Sequence, residues 1–296
     1  MSMENNIPIK SKANSLKELL KLRLTSLVVF SSVLSYVLAT GISGIDWVVL
    51  SALIVGGFMI AGASNGLNQI IEKDNDALMT RTLNRPLPEN RLGVKEAIVY
   101  CILFGAAGFT ILWQFVNLNS ALLGLLALIL YAFAYTPMKK KSPWAVFVGA
   151  FPGAIPAMLG WIAATNTFGL EAGALFAIQF VWQFPHFWAI AWVLDDDYKL
   201  GGIRLLPLKE GRTKRTALRV LAYTAFLIPV CTFPWLLQMT GIVSTILAIG
   251  LSIYFVYIAF KLYQINDVKA AKKLMFASFL YLPLVQILFV LDRFQI

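Results

Sequence analysis

Charge is what this chain has least of. Of 296 residues only 14% are Asp, Glu, Lys or Arg, and 59% are hydrophobic. A soluble domain of this length carries about 25% charged residues, and the mean hydropathy here is +0.74, so little of the chain is left for a separate soluble domain. Cysteine occurs twice, as Cys101 and Cys231, and histidine once, as His186. Both cysteines fall inside long apolar runs and neither belongs to a CxxC or a Cys/His cluster, so buried apolar packing is their expected role. There is no Walker loop, no dinucleotide fingerprint, no HExxH and no GxSxG, which leaves ATP hydrolysis and peptide hydrolysis without support. A cleavable signal and an Arg-rich, acid-poor transit peptide are missing too: Glu4 and Glu18 precede a span-length segment. That favours a bacterial plasma membrane over an imported organelle protein.

What is present is a series of apolar runs near 20 residues long, the length that crosses about 30 Å of hydrocarbon. Nine spans are expected, at roughly 24–44, 47–71, 95–115, 119–137, 143–164, 170–194, 216–237, 241–261 and 274–292. The fold class is all-α, a polytopic membrane protein. Residues 1–23 form an N-terminal cytoplasmic segment and 24–296 a single transmembrane domain. All of the 25 basic residues except Arg293 fall on one side of these spans. The positive-inside rule then puts the N-terminus and the even-numbered loops in the cytoplasm and the C-terminus outside. The net charge of +10 is thus mostly a topology signal. It implies a lipid bilayer as partner and no nucleic acid.

Asn68, Glu72 and Asp76 recur every fourth residue where the second span meets water. On a helix that spacing puts them on one slowly drifting stripe. Carboxylates are costly at that depth and rarely stand without a partner. A second acidic run, Asp195-Asp196-Asp197-Tyr198, opens the other long cytoplasmic loop, 195–215. The loops 72–94 and 195–215 carry similar phrases, Arg85-Pro-Leu-Pro88 and Arg204-Leu-Leu-Pro-Leu208. They follow spans two and six, which looks like a weak repeat of two four-helix halves with a ninth helix added. Hard oxygen ligands of this kind suit Mg²⁺, which takes few protein carboxylates and completes its shell with phosphate and water. Arg81, Arg85, Lys139, Lys140, Arg204 and Arg212 lie on the same face and could hold the rest of an anion; Arg85 is the best placed, because Pro86 and Pro88 fix the chain around it. Tyr131 and Tyr135 read either as phosphate hydrogen-bond donors or as aromatic-belt residues. His186, in Trp182-Gln-Phe-Pro-His186-Phe-Trp188, could ligate a porphyrin iron, orient an acceptor, act in acid–base work or hold a neighbouring helix. Gly56, Gly57, Gly62 and Gly66 on span two read as close-approach positions.

The stretch Asn68-x₃-Glu72-x₃-Asp76-x₂-Met79-x-Arg81-Thr82-x₂-Arg85-Pro-Leu-Pro88 resembles the first signature of the UbiA-type intramembrane prenyltransferases. Within them it is most similar to the haem-directed branch, the haem farnesyltransferases. The resemblance continues through Tyr135-Thr-Pro-Met-Lys139, Gly149-Ala-Phe-Pro-Gly-Ala-Ile-Pro156, Trp182-Gln-Phe-Pro-His186-Phe-Trp188 and Asp196-Asp197-Tyr198-x₂-Gly201-Gly202, and so covers most of the chain. Two departures from the wider superfamily stand out: Glu72 replaces a common Asp, and Val193 occupies the position four before Asp197.

The resemblance implies a nine-transmembrane-helix bundle around a central cavity open to lipid. Asn68, Glu72, Asp76 and Asp197 would bind Mg²⁺ and the head of farnesyl diphosphate. Arg81 and Arg85 would meet the diphosphate. Tyr135, Lys139, Lys140, His186, Asp196 and Arg204 would line the substrates. The implied reaction moves the farnesyl group to the 2-vinyl group of haem b, giving haem o. The partners are then farnesyl diphosphate and haem b, with a haem a synthase or terminal-oxidase assembly partner receiving the product. The alternative is the same chemistry on a quinone-precursor aromatic acceptor. A transporter using the acids as an ion path fits less well, because transporter sites lie near mid-membrane and these acids lie at one interface.

Overall fold

A computed structural model describes residues 11–293. Residues 1–10 and 294–296, and with them the expected sides of the two termini, lie outside the described residues. Within 11–293 the chain is helical, without a strand; a single bridge joins Thr240 and Arg293. A short helix α1 (Lys12–Leu19) leads into α2 (Leu22–Thr40) and α3 (Trp47–Ile71). A one-turn α4 (Lys73–Asp76) follows, then α5 (Val94–Phe115), α6 (Leu118–Met138), α7 (Ala145–Thr165), α8 (Leu170–Leu200), α9 (Lys214–Leu236), α10 (Ile242–Ile265) and α11 (Val268–Leu291). Nine of these helices among the described residues are long and apolar enough to span a bilayer, each overlapping one expected span, with the sixth running six residues further and the ninth beginning six residues earlier.

Polar caps set where the spans begin. Asp46 Oδ1 accepts from the N–H groups of Val48 and Val49 at the start of α3. Asn117, Thr213 and Asp267 do the same for α6, α9 and α11. Each satisfies donors that lipid could not.

The helices form a closed ring. Each packs on its successor, α8 packs also on α11, and α11 returns to α2. α7 reaches across the ring to α2 and is the hub, with 67% of its apolar window buried against 17% for α5 on the lipid side. Gly160 makes the α2–α7 approach: a Cβ there would run into the Ser32 carbonyl oxygen. Arg293, the one base on its side, closes the seam. Its guanidinium donates to the carbonyls of Leu38 at 2.6 Å and Ala39 at 2.8 Å, the exposed C-terminal acceptors of α2.

Two local features depart from the sequence reading. The sixth span does not end at 194. Its helix runs on to Leu200, so Asp195, Asp196 and Asp197 stand on a helix rather than in a loop. In α6, residues Leu130–Tyr135 form a π turn. Pro137 has no N–H for the carbonyl four residues back and its ring crowds that carbonyl; widening the turn relieves the clash.

Candidate active site

The acidic stripe survives the break between α3 and α4. Glu72 leaves the helix at φ −96°, ψ 8°, yet its N–H bonds to the Asn68 carbonyl and the Asp76 N–H to the Glu72 carbonyl, at 3.0 and 2.8 Å. The three side chains therefore stay in line, and all three are buried. Each has a cation beside it. Lys21 Nζ donates to Asn68 Oδ1 at 3.1 Å. Lys139 Nζ lies 3.0 Å from Glu72 Oε1. Arg85 Nη1 lies 2.6 Å from Asp76 Oδ2, with the Asp76 side chain 1% exposed. Asn68 Nδ2 bridges to Glu72 Oε2 and to Thr136 Oγ1 at 2.8 and 3.1 Å. Thr136 is in place because the π turn lets its hydroxyl donate to the Tyr131 carbonyl.

The second acidic run is divided by helix geometry. Successive residues on a helix point about 100° apart, so the three carboxylates go to three partners. Asp195 pairs with Lys199 at 2.7 Å. Asp196 points outward, 77% exposed, and pairs with Arg212 at 2.8 Å. Asp197 turns the other way, and its Oδ1 accepts the Thr80 N–H at 2.7 Å. Asn75 Nδ2 donates to the Gly201 carbonyl at 2.6 Å. These two bonds dock the first acidic loop on the end of α8, bringing Asp76 and Asp197 to the same end of the bundle.

Of the other expected residues, Tyr135 is buried with its ring 4.6 Å from Lys139 Nζ. Arg81 is exposed, 5.8 Å over the Tyr198 ring. The side chains of Lys140 and Arg204 are exposed; Arg204 contributes a backbone bond to the Lys139 carbonyl instead. His186 lies eleven residues before Asp197 on α8, about 16 Å along the axis, and does not join the cluster. Asp196, Lys140 and Arg204 thus stand outside the buried group.

Lys21 is the residue that sequence reasoning left to topology. It sits in the α1–α2 turn at φ +47°, a left-handed conformation costly for a side chain, and that turn sends its ammonium inward. Burial, then the like charges of Arg85 and Lys139, press its pKa well below the ordinary lysine value. Burial is the largest influence on Lys139 and works against its charge, but Glu72 together with Tyr131 and Tyr198 turns the net shift upward. For Asp76, burial raises the pKa and Arg85 opposes it; burial wins.

Among the described residues no group of three or more His, Cys, Asp or Glu side chains could hold a metal by itself. Two carboxylate oxygens are nonetheless buried with no hydrogen-bond partner, Asp76 Oδ1 and Asp197 Oδ2. Each belongs to a carboxylate whose other oxygen is held by the protein. Orphaned anionic oxygens of this kind invite a cation, and two of them suit a divalent ion that takes its remaining ligands from a phosphate. Both oxygens of Glu72 are already engaged, by Lys139 and Asn68. A groove of about 460 Å³, lined by Trp47, Val55 and Phe115 among others, opens at the other end of α3 and α5, far from the acids.

The model of the UbiA prenyltransferase family matches residues 28–282. The chain belongs to this family. It is 52% identical to a protoheme IX farnesyltransferase of Cytophaga hutchinsonii over 93% of this chain and 96% of that protein. It is 46% identical to that of Flavobacterium psychrophilum, over 99% of both. Among solved structures, a digeranylgeranylglyceryl phosphate synthase superposes with a TM-score of 0.78 over 95% of this chain and 98% of that one, at 17% identity. A UbiA homolog from Archaeoglobus fulgidus bound to GPP and Mg2+ gives 0.71 over 93% and 99%, also at 17%. At such identity the likeness concerns the UbiA fold: a multi-pass helical bundle.

Proposed function

We infer that this chain transfers the farnesyl group of farnesyl diphosphate to the 2-vinyl group of haem b, yielding haem o. The acceptor is supported by near-full-length relatives that are protoheme IX farnesyltransferases. The reaction class is supported by one observation above the rest: two buried partnerless carboxylate oxygens, Asp76 Oδ1 beside the cation Arg85 and Asp197 Oδ2 on the helix end to which the first acidic loop is docked.

Diphosphate leaves an allylic carbon only when its growing negative charge is neutralised. Arg85 and Lys139 are held in place by Asp76 and Glu72, ready to turn toward that charge. Lys21 joins them as the cation without a carboxylate of its own, and exposed Arg81 meets the outer phosphate. Asp76 and Asp197, with Asn68 and Glu72 behind them, would hold Mg²⁺. When bound, the ion would screen the phosphate oxygens and stabilise the leaving group. The apolar bundle keeps water from the allylic carbon until the vinyl group has attacked, and the hydroxyl of the product then comes from water.

The cluster faces the cytoplasm of a bacterial plasma membrane, with the N-terminus inside and the C-terminus outside. Haem o then passes to a haem a synthase or a terminal-oxidase assembly partner. The test is product analysis with purified protein, farnesyl diphosphate, Mg²⁺ and haem b. A haem heavier by a farnesyl and a hydroxyl group is expected, with the oxygen label of the water used. Prenylation of only hydroxybenzoate or naphthoate would replace haem with a quinone precursor as acceptor.

A further inference from the structure

The chain's one histidine is held by a contact that decides which ring nitrogen carries the proton. His186 Nδ1 on α8 lies 2.8 Å from Ser278 Oγ on α11. That hydroxyl gives its only hydrogen to the Met275 carbonyl at 2.6 Å, and a carbonyl can only accept. Ser278 Oγ therefore meets the ring as an acceptor, and Nδ1 is the donor. In this tautomer Nε2 keeps its lone pair. It has no hydrogen-bond partner among the described residues, and it is not among the partnerless atoms that the fold seals away.

The ring cannot easily turn. Trp182 stacks on it with centroids 4.3 Å apart, and Phe187 and Phe279 meet it edge-on at 5.4 and 5.3 Å. Trp182 Nε1 donates to the Ser278 carbonyl at 3.0 Å, so the α8–α11 seam is tied on both sides of the imidazole. No acidic or basic side chain pairs with the ring among the described residues.

A histidine that only tied two helices would need one nitrogen. Here the second is left bare at membrane depth, which is costly for a polar atom. An imidazole with one nitrogen hydrogen-bonded to a fixed acceptor and the other free is how proteins present histidine to a transition metal. Phe279 and Leu280 at this seam are 44% and 65% exposed on the bundle's lipid side. A flat apolar macrocycle dissolved in the bilayer meets that side first.

We propose that His186 Nε2 ligates the iron of the haem acceptor and that Ser278 is the positioning residue that fixes its tautomer. The proposal rests on the haem reading above and adds where that acceptor is held. Its test is titration of the purified full chain with haem b, and in parallel with metal-free protoporphyrin IX, read by absorption and resonance Raman spectra. The wild type should show an imidazole-ligated iron. His186→Ala should lose that signature and bind haem b at least tenfold more weakly, with metal-free porphyrin binding unchanged and added imidazole restoring the spectrum. Ser278→Ala should keep the ligand but weaken haem binding about tenfold. An unchanged haem spectrum in His186→Ala would overturn the proposal, as would an equal loss of metal-free porphyrin, which would make the ring a packing element. A wild type that farnesylates haem b yet binds it without a nitrogen ligand sinks this inference alone. One that farnesylates no haem sinks the function as well.

Discussion

Replacing Lys21 by methionine separates what the site does from what holds the fold. The change keeps most of the length of the side chain and deletes its charge. In the folded protein that charge is disfavoured by burial and by Arg85 and Lys139. The sign follows directly. A lysine whose folded pKa is depressed costs stability at every pH below that pKa, and the cost fades as pH rises through it. Lys21→Met should therefore unfold no earlier than the wild type at neutral pH, despite losing the 3.1 Å bond to Asn68. Lys21→Gly should gain about 1 kcal/mol more, because glycine adopts the left-handed turn without strain. Activity should move the opposite way. A hydrogen bond to a charged group is worth about 1.5–3 kcal/mol, so losing one to the diphosphate lowers kcat/KM for farnesyl diphosphate by about 10- to 150-fold. The assay is initial-rate haem o formation beside a thermal melt in the same detergent. Wild-type kcat/KM in Lys21→Met would refute the reasoning. So would a fall in activity that merely tracks a fall in Tm.

Asp76→Asn and Asp197→Asn keep shape and the held oxygen's bond but lose charge; each should cut turnover by at least about 10²–10³-fold while membrane insertion, followed by protease accessibility, stays normal. Asn68→Ala should do the same by releasing Lys21, Glu72 and Thr136 together. Because Asp76 has a raised pKa and must be ionised to attract a cation, the pH–rate profile should lose activity on acidification above the ordinary carboxylate range of about 3.9. Stability should not fall with it through this group, since protonation removes the cost of its buried charge. Gly160→Ala puts a methyl against the Ser32 carbonyl and should cost about 1–3 kcal/mol, seen as a lower Tm with little change in KM.

The spans were readable because their signal is one-dimensional: twenty apolar residues and a polar cap. The stripe Asn68–Glu72–Asp76 was readable because a fixed helical period carries it. What could not be read depends on direction. Asp196 and Asp197 are neighbours in the chain, and only the continuation of α8 to Leu200 sends one to Arg212 and the other to Thr80. Bases on one face of a membrane all serve topology, so the chain alone does not say that Lys139 turns inward while Lys140 and Arg204 stay in water. Lys21 carries a weaker trace still, since a left-handed lysine has no pattern of its own. The π turn had a trace in Pro137, which marks a disturbed helix without saying how it is resolved.

The same placement explains how so much charge is tolerated at the edge of an apolar bundle. A carboxylate buried alone would take up a proton, and an ammonium buried alone would lose one. Glu72 with Lys139 and Asp76 with Arg85 oppose both outcomes, because each ion supplies part of the other's solvation. Two ion pairs are thus in place before an anionic substrate or its cation arrives. Binding then exchanges partners instead of creating charge: the bases turn from carboxylate to phosphate, and the carboxylates from bases to the metal. The two oxygens left without partners, on Asp76 and Asp197, mark where that exchange is incomplete in the protein alone.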